Sequence, residues 1–238
     1  MKLCLATLSQ DGRCRFYSTS AHKADNKQGT SQNSKPQLEL LEDWDIIVGD
    51  ARNLRTLSWS KSWNADQEPI IAIGADNGHG ESNTQNCLKI YYLNTEKNES
   101  NSWKWTEILD KLPINKPSSA IHDVCFANTS GRSYHLLAIA SDDGTKLLKI
   151  SQYEKNEKPA FKITDIKLDD SYFRETFSTG ENSQSTMGDV SSRQVSFNSN
   201  GTVLTSTTSS GEILVYQYEP HAKNGKNRWI GVHREKIN

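Results

Sequence analysis

Four glycines recur at near-constant spacing along the chain: Gly12, Gly78, Gly144 and Gly211 lie 66, 66 and 67 residues apart. Each closes a polar turn at the end of an apolar run, in "LATLSQDG", "AIGADNG", "IASDDG" and "TSTTSSG". A tight turn of this kind needs positive φ, which Gly takes without steric cost and Asn or Asp at small cost. After each turn comes a second strand-like run: "RCRFYSTS" (13–20), "CLKIYYL" (87–93), "KLLKISQ" (146–152) and "EILVYQY" (212–218). Before the last three hairpins lies another apolar run: "LRTLSWS" (54–60), "IHDVCFA" (121–127) and "RQVSFNS" (193–199). Before those lies a more polar one: "LELLEDW" (38–44), "WKWTEIL" (103–109) and "FKITDIKL" (161–168).

The repeating unit is therefore four short strands, three apolar and one amphipathic. Self-similarity at a fixed period with four strands per unit predicts an all-β fold, the blades of a β-propeller. A lone blade leaves both faces bare, and radial stacking covers them. A β-sandwich or jelly roll would not require equal spacing. The unit is longer than the ~40–45 residues usual for such blades. The excess falls in the Ser-, Asn-, Gly- and Lys-rich stretches 21–37, 77–86, 94–102 and 169–190, which read as surface loops.

Counting units gives a single incomplete propeller over 1–238, with a partial blade at 2–20, blades at 38–93, 103–152 and 161–218, and a tail strand at 228–233. That is about three and a half blades of four antiparallel strands, whereas propellers close with ~4–8 blades. The expectation is a piece of a longer propeller whose N-terminal blades precede it; completion of the ring by a partner is the other route. Alone, the chain would expose two blade faces and be poorly soluble.

The formal net charge of -1 provides no basic field for nucleic acid or an anionic membrane. No apolar run approaches the ~18 residues of a membrane span, so neither direct nucleic-acid binding nor membrane insertion is expected. Cys4, Cys14, Cys87 and Cys125 have neither C-x-x-C spacing nor a nearby His, and read as buried thiols.

No catalytic, cofactor-binding or metal-ligating set emerges. Asp142 and Asp143 are neighbours on a hairpin turn and should point apart, so they read as turn residues with Gly12, Gly78, Gly144 and Gly211. His122-Asp123 near Ser118 and Ser119 lacks a nucleophile elbow, and a structural hydrogen-bond network between a His and a turn Asp is the better reading. "GADNGHGESN" (74–83) joins two strands rather than a strand and a helix, so it is not a phosphate loop, and His79 has no second ligand nearby. The locally basic tail "AKNGKNRWIGVHREK" reads as a solvated end. Trp59 reads as core, and Trp103 and Trp105 as one face of an outer strand. An enzyme or ligand-binding propeller would place acidic, His or Arg residues at the starts of the central strands, which here begin mostly with apolar or small polar residues.

"IHDVCFANTSGRSYHLLAIASDDGTKLLKI" (121–150) closely resembles a segment of the Seh-type nucleoporins, Sec-thirteen homologues of the WD-repeat class. The residues that carry the likeness are His122, Asp123, Gly131, Arg132, Ser133, Tyr134 and His135. "RQVSFNSNGTVLTSTTSSGEILVYQY" (193–218) is similar to that family's last blade, and the opening "KLCLATLSQDGRCRFYST" to its third. The chain departs at Phe197 and Tyr216, where the family has Trp, and at Ser209 and Ser210, where it has a pair of Asp. The resemblance implies a non-enzymatic scaffold subunit of the Y-shaped nuclear pore coat. It further implies an α-helical scaffold nucleoporin donating a blade in trans near residues 190–218, other coat-complex subunits as partners, and a place at the nuclear envelope in transport of protein and mRNA. The same family implies a second setting, the SEA/GATOR-two nutrient-signalling complex at the lysosome or vacuole, or a vesicle coat.

Overall fold

The computed structural model describes residues 4–9, 12–20, 37–45, 54–60, 69–76, 87–94, 104–108, 120–128, 131–155, 158–173, 190–220 and 227–237. Among the described residues the chain is a partial β-propeller of four sheets. The first holds β1 (Cys4–Leu8), β2 (Arg13–Ser20) and β3 (Gln37–Asp45). The second holds β4 (Leu54–Trp59), β5 (Ile70–Ala75), β6 (Leu88–Asn94) and β7 (Lys104–Glu107). The third holds β8 (Ile121–Phe126), β9 (Tyr134–Ser141), β10 (Gly144–Lys155) and β11 (Lys158–Ile166). The fourth holds β13 (Ser192–Phe197), β14 (Val203–Thr208), β15 (Glu212–Glu219) and β16 (Arg228–Lys236). Each is an antiparallel meander in chain order, and β12 (Leu168–Asp169) adds in parallel to the free edge of β16.

The grouping corrects the blade limits expected from the repeat. The amphipathic strand does not open the unit that follows it; it closes the sheet before it. β3 pairs with β2, β7 with β6, β11 with β10 and β16 with β15. The sheets therefore run 4–45, 54–107, 121–166 and 192–236, rather than 2–20, 38–93, 103–152 and 161–218. The tail strand expected at 228–233 begins no further unit and is the outer strand of the fourth sheet. The loops anticipated at 21–37, 77–86 and 169–190 lie almost wholly outside the described residues.

Three apolar cores alternate with the sheets. Phe16 and Cys14 of the first sheet pack with Ile71, Ile73, Tyr91 and Trp105 of the second. Ile70, Ala72, Leu88 and Ile90, on the other face of the second sheet, meet Val124, Leu137, Ile139, Leu148 and Ile150 of the third. Leu136, Ala138, Ala140 and Leu147 then meet Val195, Leu204, Leu214, Tyr216 and Trp229 of the fourth. A strand covered on both faces must be apolar at consecutive positions, which is why β5 and β9 read "IIAIGA" and "YHLLAIAS" instead of alternating. Phe16 stacks on Trp105 at 5.1 Å between ring centroids, and Trp59 meets both edge-on. Trp59 thus lies against the core, as expected; Trp103 is outside the described residues.

The two end faces differ from the inner ones. On the first sheet Leu5, Tyr17 and Leu40 form one cross-strand row on the face away from the second sheet. Leu5 is 45% and Leu40 50% exposed, among the most exposed large apolar side chains described. On the fourth sheet Val203, Thr205, Ile213, Val215 and Ile230 face away from the third sheet and belong to none of the cores.

Candidate functional site

β4, β8 and β13 are the first strands of their sheets and lie side by side, tied by side chains of one strand reaching the backbone of the next. Thr56 Oγ1 donates to Asp123 Oδ1 at 3.0 Å and accepts from the Val124 N–H at 3.2 Å. Ser58 Oγ accepts from the Phe126 N–H at 2.9 Å, and Asp123 Oδ2 accepts from the Val195 N–H at 3.0 Å. An inner strand has one edge that no sheet ladder satisfies, and short polar side chains of its neighbour take that role.

The same irregularity occurs in all three inner strands. Register shifts lie between Leu54 and Thr56, between Ile121 and Asp123, and between Ser192 and Gln194. The residue left unpaired is Arg55 in β4, His122 in β8 and Arg193 in β13. A bulge of this kind turns its extra residue out of the ladder. The three side chains converge. Arg55 Nη1 lies 3.3 Å from His122 Nδ1, and Arg193 Nη1 lies 3.3 Å from Nδ1 and 2.9 Å from Nε2 of the same ring.

Carboxylates from the ends of the second strands complete the rim. Arg55 Nη2 donates to Asp76 Oδ2. His122 Nε2 lies 2.7 Å from Asp142 Oδ1, which also accepts from Ser191 Oγ at 3.1 Å. Burial by itself would raise the Asp142 carboxyl. The hydrogen bonds from His122 and Ser191, with the nearby Arg193 charge, instead hold it below the usual carboxylate range.

Asp142 and Asp143 have different partners: Asp142 contacts His122 and Ser191, whereas Asp143 Oδ2 accepts from Lys146 Nζ at 3.1 Å. Gly12, Gly144 and Gly211 have φ of 83°, 98° and 75°, and Gly78 lies outside the described residues. So do Ser118, Ser119 and His79.

One buried Ser–His pair escaped the sequence reading. Ser60 Oγ lies 2.7 Å from His135 Nδ1, with Ser60 1% and His135 0% exposed. No substrate reaches that hydroxyl, so the pair is not a nucleophile and its base. Burial lowers the His135 pKa to about 4 and keeps the ring neutral. Its Nε2 has no hydrogen-bond partner among the described residues.

A cavity of about 200 Å³ opens between the third and fourth sheets, lined by Asp143, Thr145, Asp170, Glu212, Tyr216 and Arg234. Arg234 donates from Nε and Nη2 to Glu212 Oε1 at 3.1 and 2.6 Å, so that cation is already engaged. Among the described residues no group of three His, Cys, Asp or Glu is placed to hold a metal ion, and no disulfide occurs.

Arg55 and Arg193 were missed by sequence reasoning. They sit at the same register as His122 when the three inner strands are aligned, and a positional comparison of the repeats would have picked out the column. Nothing in the local sequence marks the bulges.

No family model matches the chain. Its similarity lies with curated proteins. It is 26% identical over 219 residues to Nucleoporin SEH1-A of Xenopus laevis, covering 91% of this chain and 50% of that protein. Nucleoporin SEH1 of Homo sapiens and that of Danio rerio are each 28% identical over 145 residues, covering 60% of this chain and 33% of each relative. The chain thus spans about half the length of the Xenopus laevis relative and a third of the Homo sapiens and Danio rerio ones.

Proposed function

We propose that this chain is part of a non-enzymatic WD-repeat scaffold subunit of the nuclear pore complex, in its Y-shaped coat. The observation that carries the reading is the similarity to SEH1 nucleoporins along nearly the whole chain. The geometry is in keeping with it. The inner strands are tied to one another by structural hydrogen bonds, and the buried Ser60–His135 pair is sealed from substrate. The two end faces of the sheet stack carry apolar side chains that further sheet would cover.

In this reading the arc is one continuous incomplete propeller, with Gly12, Gly78, Gly144 and Gly211, Asp142 and Asp143 as turn residues. Its ring is completed by further blades and by a blade that an α-helical scaffold nucleoporin donates in trans. Strand addition supplies main-chain hydrogen bonds, and burial of an end face supplies apolar contact. The subunit would act at the nuclear envelope, supporting transport of protein and mRNA.

The test is gentle purification of the endogenous protein, tagged at its C-terminus, followed by mass spectrometry. Helical scaffold nucleoporins in stoichiometric amounts are the expected result. A partner set without nucleoporins, or one made of nutrient-signalling subunits alone, would overturn the assignment.

A further inference from the structure

We infer that the rim built by Arg55, His122 and Arg193 is a binding site for a carboxylate carried by an acidic peptide segment. The inference is independent of the pore assignment. Three observations carry it. First, the same bulge recurs in three successive inner strands and delivers its extra residue to one place each time. A single bulge can relieve local twist; three aligned ones re-aim three side chains at a common point.

Second, the point is over-supplied with donors. In a neutral ring that donates from Nε2 to Asp142, Nδ1 is the one acceptor left. Nη1 of Arg55 and Nη1 of Arg193 both lie 3.3 Å from that single lone pair. One lone pair satisfies one donor well. A carboxylate has two oxygens and about four lone-pair sites, and so accepts from both forks together.

Third, the two guanidiniums differ in their counter-charges. Arg55 is paired with Asp76, whereas Arg193 is exposed and in no ion pair among the described residues. Asp142 faces Arg193 but spends the same oxygen on His122 and Ser191. Two guanidiniums and two carboxylates balance across the rim, but Arg193 has no direct carboxylate contact among the described residues, and the two fixed carboxylates disfavour a polyanion. That balance, with a net charge of -1 for the chain, favours a single carboxylate over a nucleic-acid backbone. The rim lies at the starts of β4, β8 and β13, with Arg193 exposed to solvent.

The test is fluorescence anisotropy on the full chain with a labelled peptide of alternating glutamate and serine, and its twin with glutamine for glutamate. Saturable binding of the glutamate peptide is expected. Arg193→Gln should weaken it about tenfold or more, the scale of a lost charge-assisted hydrogen bond. Arg193→Lys should fall between, because it keeps the charge and loses the fork. Arg228→Gln, at an exposed arginine on the outer strand, should bind as the parent does. Far-UV circular dichroism checks that each variant is folded. Equal affinity for the glutamine twin would overturn the inference. So would parent-like binding by both Arg193 variants, equal weakening by Arg228→Gln, or tighter binding of a DNA oligonucleotide than of the glutamate peptide.

Discussion

Acidification should loosen the joint between the second and third sheets through His135. This ring is fully buried, touches Ser60 at 2.7 Å and packs edge-on to Phe126 at 6.3 Å. Burial disfavours the imidazolium and lowers the folded-state pKa to about 4, against an ordinary value of 6.5. The folded state therefore binds its proton at lower pH than the unfolded state. Stability from this group is fully present above pH 6.5 and declines as pH falls toward about 4. The loss is about 2 kcal/mol at pH 5 and approaches roughly 3 kcal/mol below pH 4, at about 1.4 kcal/mol per pKa unit. Urea midpoints at pH 7.5 and pH 5, with slopes held comparable, read this directly. His135→Gln keeps a polar side chain for Ser60 but does not titrate, so its midpoint should move less with pH by that amount. Equal loss in the parent and in His135→Gln would refute the reasoning.

Three other perturbations test the packing. Gly74→Ala should cost about 1–3 kcal/mol in urea unfolding, because a methyl there would overlap Ile121 Cγ2 and stand 2.7 Å from Thr56 Cγ2. Asp123→Ala should cost about 2 kcal/mol or more by the same measurement, since it removes the acceptor that ties the Val195 N–H to β8 and the partner of Thr56. Trp105→Ala should cost about 3–5 kcal/mol and should shift the near-ultraviolet circular dichroism of the Phe16–Trp59–Trp105 cluster.

The strands were legible because burial on both faces writes itself into sequence. The continuous apolar runs of β5 and β9 and the polar turn before Gly144 locate those strands to within a residue or two. The cut between sheets was not legible, because a four-strand period looks the same wherever it is opened. Chain proximity even pointed the wrong way for β3. It lies nearer in sequence to β4, across 46–53, than to β2, across 21–36, yet it pairs with β2. Only the β10–β11 connection at 156–157 is short enough to announce the correct pairing. The rim is a tertiary product of three register shifts, which bring Arg55 and Arg193 to His122 only where β4, β8 and β13 lie side by side. The His122–Asp142 contact was foreseeable from residue type, and its second partner, Ser191, was not.

The central claim is that these four sheets form an arc whose end faces are covered in the working assembly. A photo-cross-linking amino acid placed at Leu5 of the native protein tests it most directly, with Tyr153 as an exposed control on another sheet. The account predicts a discrete cross-link from Leu5 to a further propeller blade or to a helical nucleoporin, and none of that product from Tyr153. A Leu5 side chain that captures nothing in the purified native complex would mean the face is bare, and would contradict the account.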